Sequence, residues 1–214
     1  MKKFADRLDA ARQLAAALHE YRGRSPLVLA IPRGAVGMGA AIAEALDGEL
    51  DVVLVRKLRA PANPELAVGA VDETGWTYVA GHAASVGADA AHIEREKRAQ
   101  LETLRARRAR YTPARPPLDP AGRIVIVVDD GLATGASMIA ALHAARAKGP
   151  RELVCAVPVA APDSLERVRP SADKVVCLAT PAEFYAVGQF YREFPQVEDD
   201  EVVRLLGEAR HQPS

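Results

Sequence analysis

The sequence predicts an α/β fold of three layers, α/β/α, with helices on both sides of a central, mostly parallel sheet. Three observations predict it. Mostly apolar runs at Leu27 to Ile31, Asp51 to Val55, Ile124 to Val128, Leu153 to Val159 and Lys174 to Leu178 read as strands, and helical patterns separate them. Such alternation packs as a parallel sheet covered on both faces. The run Ile124-Val-Ile-Val-Val128 holds no polar residue, as a strand buried on both faces requires. The chain has 214 residues, 49% of them hydrophobic, enough for one domain with a full core.

The elements follow in order. Phe4 to Tyr21 reads as a helix with Leu8, Ala11, Leu14, Ala15 and Leu18 on one face. Pro26 precedes the first strand, Pro32-Arg33-Gly34 breaks it, and an alanine-rich helix runs to Leu46 before the Asp47-Gly48 turn. The second strand, Asp51 to Val55, ends in Arg56-Lys57, and a proline-marked loop, Arg59 to Glu65, follows. Leu66 to Val71 and Trp76 to Val79 read as short strands around a turn at Asp72 to Gly75. Residues 85–111 form a long helix with Val86, Ile93, Leu101, Leu104 and Tyr111 facing inward. Pro113 to Pro120 connects it to the apolar strand. A helix from Ala136 to Ala147 stops at Gly149-Pro150, a short helix spans Asp163 to Val168, and the tail helix is Asp199 to Ala209.

Composition narrows the function. Lys plus Arg and Asp plus Glu both total 28, which argues against a general nucleic-acid binder. The stretch 92–115 is locally basic, with eight basic and three acidic side chains, and reads as a solvated face or as a surface for an anionic or acidic partner. No apolar run reaches membrane-spanning length and the amphipathic N-terminus is no signal peptide, so a cytoplasmic location is expected. Cys155 and Cys177 sit in apolar strand runs and read as reduced, buried thiols. The five histidines show no metal-ligand spacing.

In parallel sheets ligands bind at the carboxyl ends of strands. Three suggestive segments fall there: Pro32-Arg33-Gly34, Arg56-Lys57 and Asp129 to Ser137. Asp129 and Asp130 are adjacent like charges, so a cation or strong hydrogen-bond donors should lie near. A ribose diol with a Mg²⁺ ion, held directly or through water, meets that need. Thr134, Gly135, Ala136 and Ser137 then form an anion nest at a helix start. Together these describe a site for a phosphorylated sugar.

Asp129-Asp-Gly-Leu-Ala-Thr-Gly-Ala-Ser137, after its hydrophobic run, resembles the phosphoribosyl pyrophosphate (PRPP) motif of the type I phosphoribosyltransferases. The phrase from Arg56 to Gly75 resembles a bacterial subgroup of that family. The resemblance covers about residues 25–180 in architecture. It implies one domain over residues 1–214, with a core at about 25–180, a helical insertion at about 83–113 and a C-terminal hood at about 180–214. It implies that Asp129 and Asp130 hold the ribose hydroxyls and Mg²⁺, and that Ala133, Thr134, Gly135, Ala136 and Ser137 hold the 5′-phosphate. Arg33 and Gly34 stand in the pyrophosphate loop, where the family often has a non-proline cis peptide. Arg56 and Lys57 correspond to a basic pair on the pyrophosphate, the catalytic pair of this reading. Residues 58–75 correspond to a flexible catalytic loop whose acid–base groups would be Glu65, Asp72 and Glu73. Phe184, Tyr185 and Phe190 are hood rings that could stack on a base, or pack the hood itself. Ala133 replaces the aspartate by which hypoxanthine- and guanine-using relatives contact the purine, which disfavours 6-oxopurines. The implied activity is Mg²⁺-dependent phosphoribosyl transfer from PRPP to a nitrogenous base by a cytoplasmic homodimer, with small molecules as partners. A non-catalytic PRPP or nucleotide sensor is the alternative, because fold does not fix function. Gly34-Ala-Val-Gly-Met-Gly39 has the reverse of the dinucleotide-binding spacing and argues against a dehydrogenase.

Overall fold

The computed structural model describes residues 3–64 and 66–209. In chain order its elements are α1 Arg7–Ala17, β1 Leu27–Ala30, α2 Val36–Ala45, β2 Glu49–Val52, β3 Val55–Arg59, β4 Ala67–Asp72, β5 Thr77–Val79, α3 Ala90–Tyr111, β6 Ile124–Val128, α4 Ala136–Arg146, β7 Glu152–Val159, α5 Pro162–Val168, β8 Lys174–Ala179 and α6 Asp199–Ala209. Five strands form a parallel sheet in the order β2-β1-β6-β7-β8. β3, β4 and β5 form a separate antiparallel sheet.

Alternating side chains of the central strands feed two cores. Val28, Ala30, Ile126, Val128 and Val154 pack with α1, α2 and α6. Leu29, Val125, Val127, Leu153 and Cys155 pack with α4 and α5. Burial on both faces accounts for the unbroken apolar run of β6. The small sheet lies between two helices: Leu58, Val68 and Val71 join the core that includes Leu104 and Tyr111 of α3, while Val55 and Ala70 join the core of α4.

Close approach of α2 to the sheet depends on Gly39. A Cβ there would lie 2.9 Å from Ala30 Cβ and from Leu50 Cδ1. Gly39→Val is expected to destabilise the protein by about 2–3 kcal/mol through overpacking. Urea unfolding followed by circular dichroism checks it, and an unchanged midpoint contradicts it.

Several expectations need correction. The first helix begins at Arg7, because Asp6 caps it by accepting from Asp9 N at 2.7 Å. Phe4 instead bridges to Tyr191, and Leu8 is exposed. The second parallel strand ends at Val52, so Arg56 and Lys57 do not lie at its end; they stand inside β3. Residues 58–75 are not one flexible loop. Most of them belong to β3, β4 and their turns, and the segment between β2 and β6 contains this small sheet as well as α3.

Candidate active site

The sheet order places β1 beside β6, and the chain leaves these two strands in opposite directions, β1 toward β2 and β6 toward β7. A crevice opens where the order reverses, at the carboxyl ends of the strands. The segments after β1 and β6 line it, so Arg33-Gly34 and Asp129 to Ser137 come together. The Pro32-Arg33 peptide is cis. Gly34 is required by proximity: a Cβ there would sit 2.5 Å from Asp130 Oδ2.

The loop after β6 is held from behind. Leu132 N donates to Val159 O at 2.9 Å and Ala161 N donates to Leu132 O at 2.9 Å, so the loop keeps the strand register. Ser164 Oγ donates to Ala133 O at 2.6 Å, and Arg167 Nη2 donates to Ser164 Oγ at 2.9 Å. Gly135, at φ +77°, is the N-cap of α4, a left-handed conformation that favours glycine. The first amides of α4 have no intrahelical acceptor and carry the positive end of the helix dipole. Ala133 is exposed at the loop surface.

The two acids are partly buried and differently supported. Asp130 N donates to Asp129 Oδ1 at 2.9 Å. Arg7 grips Asp130 Oδ2 through Nε at 2.9 Å and Nη2 at 2.9 Å. Burial, and then the charge of Asp130, raise the Asp129 carboxyl above the usual carboxylate range. Burial also raises Asp130, and Arg7 opposes it. Tyr191 donates its hydroxyl to Asp130 O at 2.7 Å.

A cavity of about 200 Å³ is bounded by Asp129, Asp130, Thr134, Ser137, Lys57 and Val187. A second, of about 280 Å³, shares Lys57 and Ser137 with it and is lined by Arg56, Arg59 and Arg107. Burial, followed by the charges of Arg107, Arg59 and Arg33, pushes the Arg56 guanidinium below its usual value. Gln100 Oε1 accepts from Arg56 Nε at 2.8 Å and orients it. A further cavity, about 530 Å³ between α1, α2 and α6, is lined by five acids, Asp6, Glu44, Glu193, Glu201 and Glu208, against two arginines, Arg7 and Arg204, which suits a polyanion poorly.

Sequence reasoning placed other residues differently. Asp72 is fully buried and caps its own turn, accepting from Thr74 N at 2.8 Å, from Thr74 Oγ1 and from Trp76 N. Glu73 forms a two-pronged pair with Arg108, at 2.8 and 2.6 Å. Both groups are thus engaged structurally, and Glu65 lies outside the described residues. In the hood, Phe184 and Phe190 pack against each other with ring centroids 4.9 Å apart, and Phe190 is buried. Tyr185 is exposed. Val187 is the hood side chain that reaches the 200 Å³ cavity, over Gly131. Arg7 and Arg107 come to the site from elements distant in sequence, whereas Arg59 lies in β3 with Arg56 and Lys57, and Val187 lies among the hood residues between Tyr185 and Phe190. The basic helix is less available than its composition implies: Arg108 pairs with Glu73, and Arg107 and Arg110 pair with Asp199.

The model of the phosphoribosyl transferase domain matches residues 2–194. The chain belongs to the phosphoribosyl transferase family. Two relatives, from two strains of Mycobacterium tuberculosis and provisionally named phosphoribosyl transferases, are each 46% identical over 210 residues, 98% of this chain and 47% of theirs. The chain therefore spans about half the length of these curated relatives. The crystal structure of TT1426 from Thermus thermophilus is 46% identical, with a TM-score of 0.80 over 97% of this chain and 99% of that one. No helix among the described residues of this phosphoribosyl transferase domain is long and apolar enough to cross a membrane.

Proposed function

We propose that the domain transfers the 5-phosphoribosyl group of PRPP to a nitrogenous base and releases pyrophosphate. One observation carries this reading. Arg56, Lys57, Arg59 and Arg107 line one cavity beside a phosphate-type loop and two acids, while Arg33 and Arg107 are also held by the acids at the start of α6, Glu198 and Asp199. Like charges gathered so closely favour the entry of a polyanion. PRPP has this layout: one phosphate for residues 133–137, a ribose diol for Asp129 and Asp130, and a pyrophosphate for Arg33, Gly34, Arg56 and Lys57.

In the reaction the bond between C1 and the pyrophosphate oxygen breaks, and a bond from C1 to the base nitrogen forms. The electron pair leaves with pyrophosphate, and the base loses its proton to solvent. The residues act by fixing the two ends of PRPP and by stabilising charge as it develops on the leaving group. Among the described residues no three His, Cys, Asp or Glu side chains gather to hold a metal. Asp129 and Asp130 nevertheless fit Mg²⁺, which takes one or two carboxylates and completes its shell with substrate oxygens and water. Bound there, the ion would neutralise phosphate charge. Ala133 offers a methyl group and no carboxylate to an acceptor, so 6-oxopurines are disfavoured and adenine is permitted. The hood rings Phe184, Tyr185 and Phe190 remain the stacking residues of this reading, with Tyr185 the exposed one. The working form is a cytoplasmic homodimer, with PRPP and a base as its small-molecule partners.

The test is PRPP titration with Mg²⁺, followed by a screen of adenine, uracil, orotate and hypoxanthine for pyrophosphate release. Binding with turnover supports the transferase. Binding without turnover on any base favours the sensor, and no binding overturns the site. Hypoxanthine as the best substrate contradicts the role given to Ala133. Arg56→Met and Lys57→Met are each expected to weaken pyrophosphate inhibition about tenfold or more, the loss of one charged hydrogen bond. Inhibition unchanged in both removes the pair from the site.

A further inference from the structure

We propose that Arg7, from outside the expected core, is a positioning residue that sets Asp130 for the sugar and ties it to the hood. The proposal rests on the PRPP reading above. Both Arg7 contacts, Nε and Nη2 at 2.9 Å, fall on one oxygen of Asp130, Oδ2. Asp130 also lines the 200 Å³ cavity, and its carboxylate cannot rotate without breaking both contacts. The same guanidinium donates through Nη1 to Pro195 O at 2.6 Å and lies 3.7 Å above the Phe194 ring. A planar group with donors on several edges and a stacking face can do all of this at once; an ammonium cannot.

The segment before α1 and residues 190–193 build the support. Phe4 N donates to Phe190 O at 2.9 Å, Arg192 N donates to Phe4 O at 2.9 Å, and Glu193 N donates to Ala5 O at 3.0 Å. This pairing places Arg7 at the start of α1 against the segment that leaves the hood. Phe194 also packs on Tyr191, with centroids 4.9 Å apart, and Tyr191 holds the backbone oxygen of Asp130. Gly188 lets the hood backbone close on Phe194: a Cβ there would lie 3.1 Å from its ring. Hood position and carboxylate orientation are thus linked through Phe194 and Arg7.

Arg7→Gln, with Arg7→Lys beside it, tests this by calorimetry with three probes: PRPP, ribose 5-phosphate and inorganic phosphate. Affinity of the Gln variant for the two sugar phosphates is expected to fall about tenfold, the usual cost of losing a partner that orients a ligating group. Inorganic phosphate, which meets only the loop after β6, should bind as in the wild type. A purely structural role would move all three probes or none. Should the Gln variant not fold, Arg7→Lys carries the comparison; it keeps the charge but not the two contacts, and a loss of about threefold or more is expected. Wild-type sugar-phosphate affinity in the variants overturns the role of Arg7 alone. Failure of the wild type to bind PRPP overturns the transferase reading and this proposal with it.

Discussion

Asp129→Asn is expected to weaken PRPP binding about 10- to 100-fold, the loss of one charge-assisted hydrogen bond of about 1.5–3 kcal/mol, and to raise the melting temperature. The two effects have one cause. Burial and the neighbouring Asp130 hold the Asp129 carboxyl above its usual range. The folded state therefore disfavours the ionised form. Its contribution to stability is greatest below the unfolded value, about 3.9, and is lost as pH rises through the higher folded value. Asparagine keeps the shape, removes the charge and still accepts from Asp130 N. Each kcal/mol recovered raises the midpoint by about 2–4 °C in a protein of this size. Calorimetric titration and scanning calorimetry at pH 5 and pH 8 check both effects, and the stability gain should be larger at pH 8. Unchanged binding, or a midpoint that falls, contradicts the account.

Gly135→Val is expected to abolish phosphate binding at the loop, by about 100-fold or more if two charge-assisted hydrogen bonds are lost. At φ +77° a β-branched residue is strained, and its Cβ would meet Val168 Cγ2 at 3.0 Å and Ser164 O at 3.3 Å. The left-handed conformation alone costs about 1–2 kcal/mol. Relief comes by moving the loop off α5, which turns its amides away from the ligand. Gly122 is the control: its φ is +69°, but nothing lies within 4 Å of a Cβ there. Gly122→Ala should carry the conformational cost and keep phosphate binding. Equal phosphate affinity in the wild type and Gly135→Val rules out the loop as the phosphate site.

The parts of the fold that were legible in sequence are those governed by local pattern. β6 is a run of apolar residues that ends in two acids, and the tail helix matches its acidic start and apolar face at Asp199–Ala209. The Asp129 to Ser137 loop was legible because its chemistry lies in consecutive residues. The small sheet was harder. Its strands were recognised at Leu66 to Val71 and Trp76 to Val79, yet nothing local says that Val55 leaves the parallel sheet to pair with Asp72. Asp72 and Glu73 looked like acid–base groups because sequence cannot show that one caps a turn and the other faces Arg108. Arg7 was invisible for the same reason: its partner is 123 positions away.

Among the described residues the two sheets share no ladder of hydrogen bonds, and Val53 and Leu54 join β2 to β3. The phosphate-type loop starts α4, and the small sheet carrying Arg56 and Lys57 rests on that helix through residues such as Ala140, Ala141 and Ala70. The spacing between anion cradle and cations is therefore a packing distance, set by side-chain volume along one helix. A methyl group added or removed at that seam would change the reach of the basic pair while leaving the cradle and both acids untouched. On the proposed reading, packing along α4 would thus set the length of anion that fits, without altering any residue that would touch it.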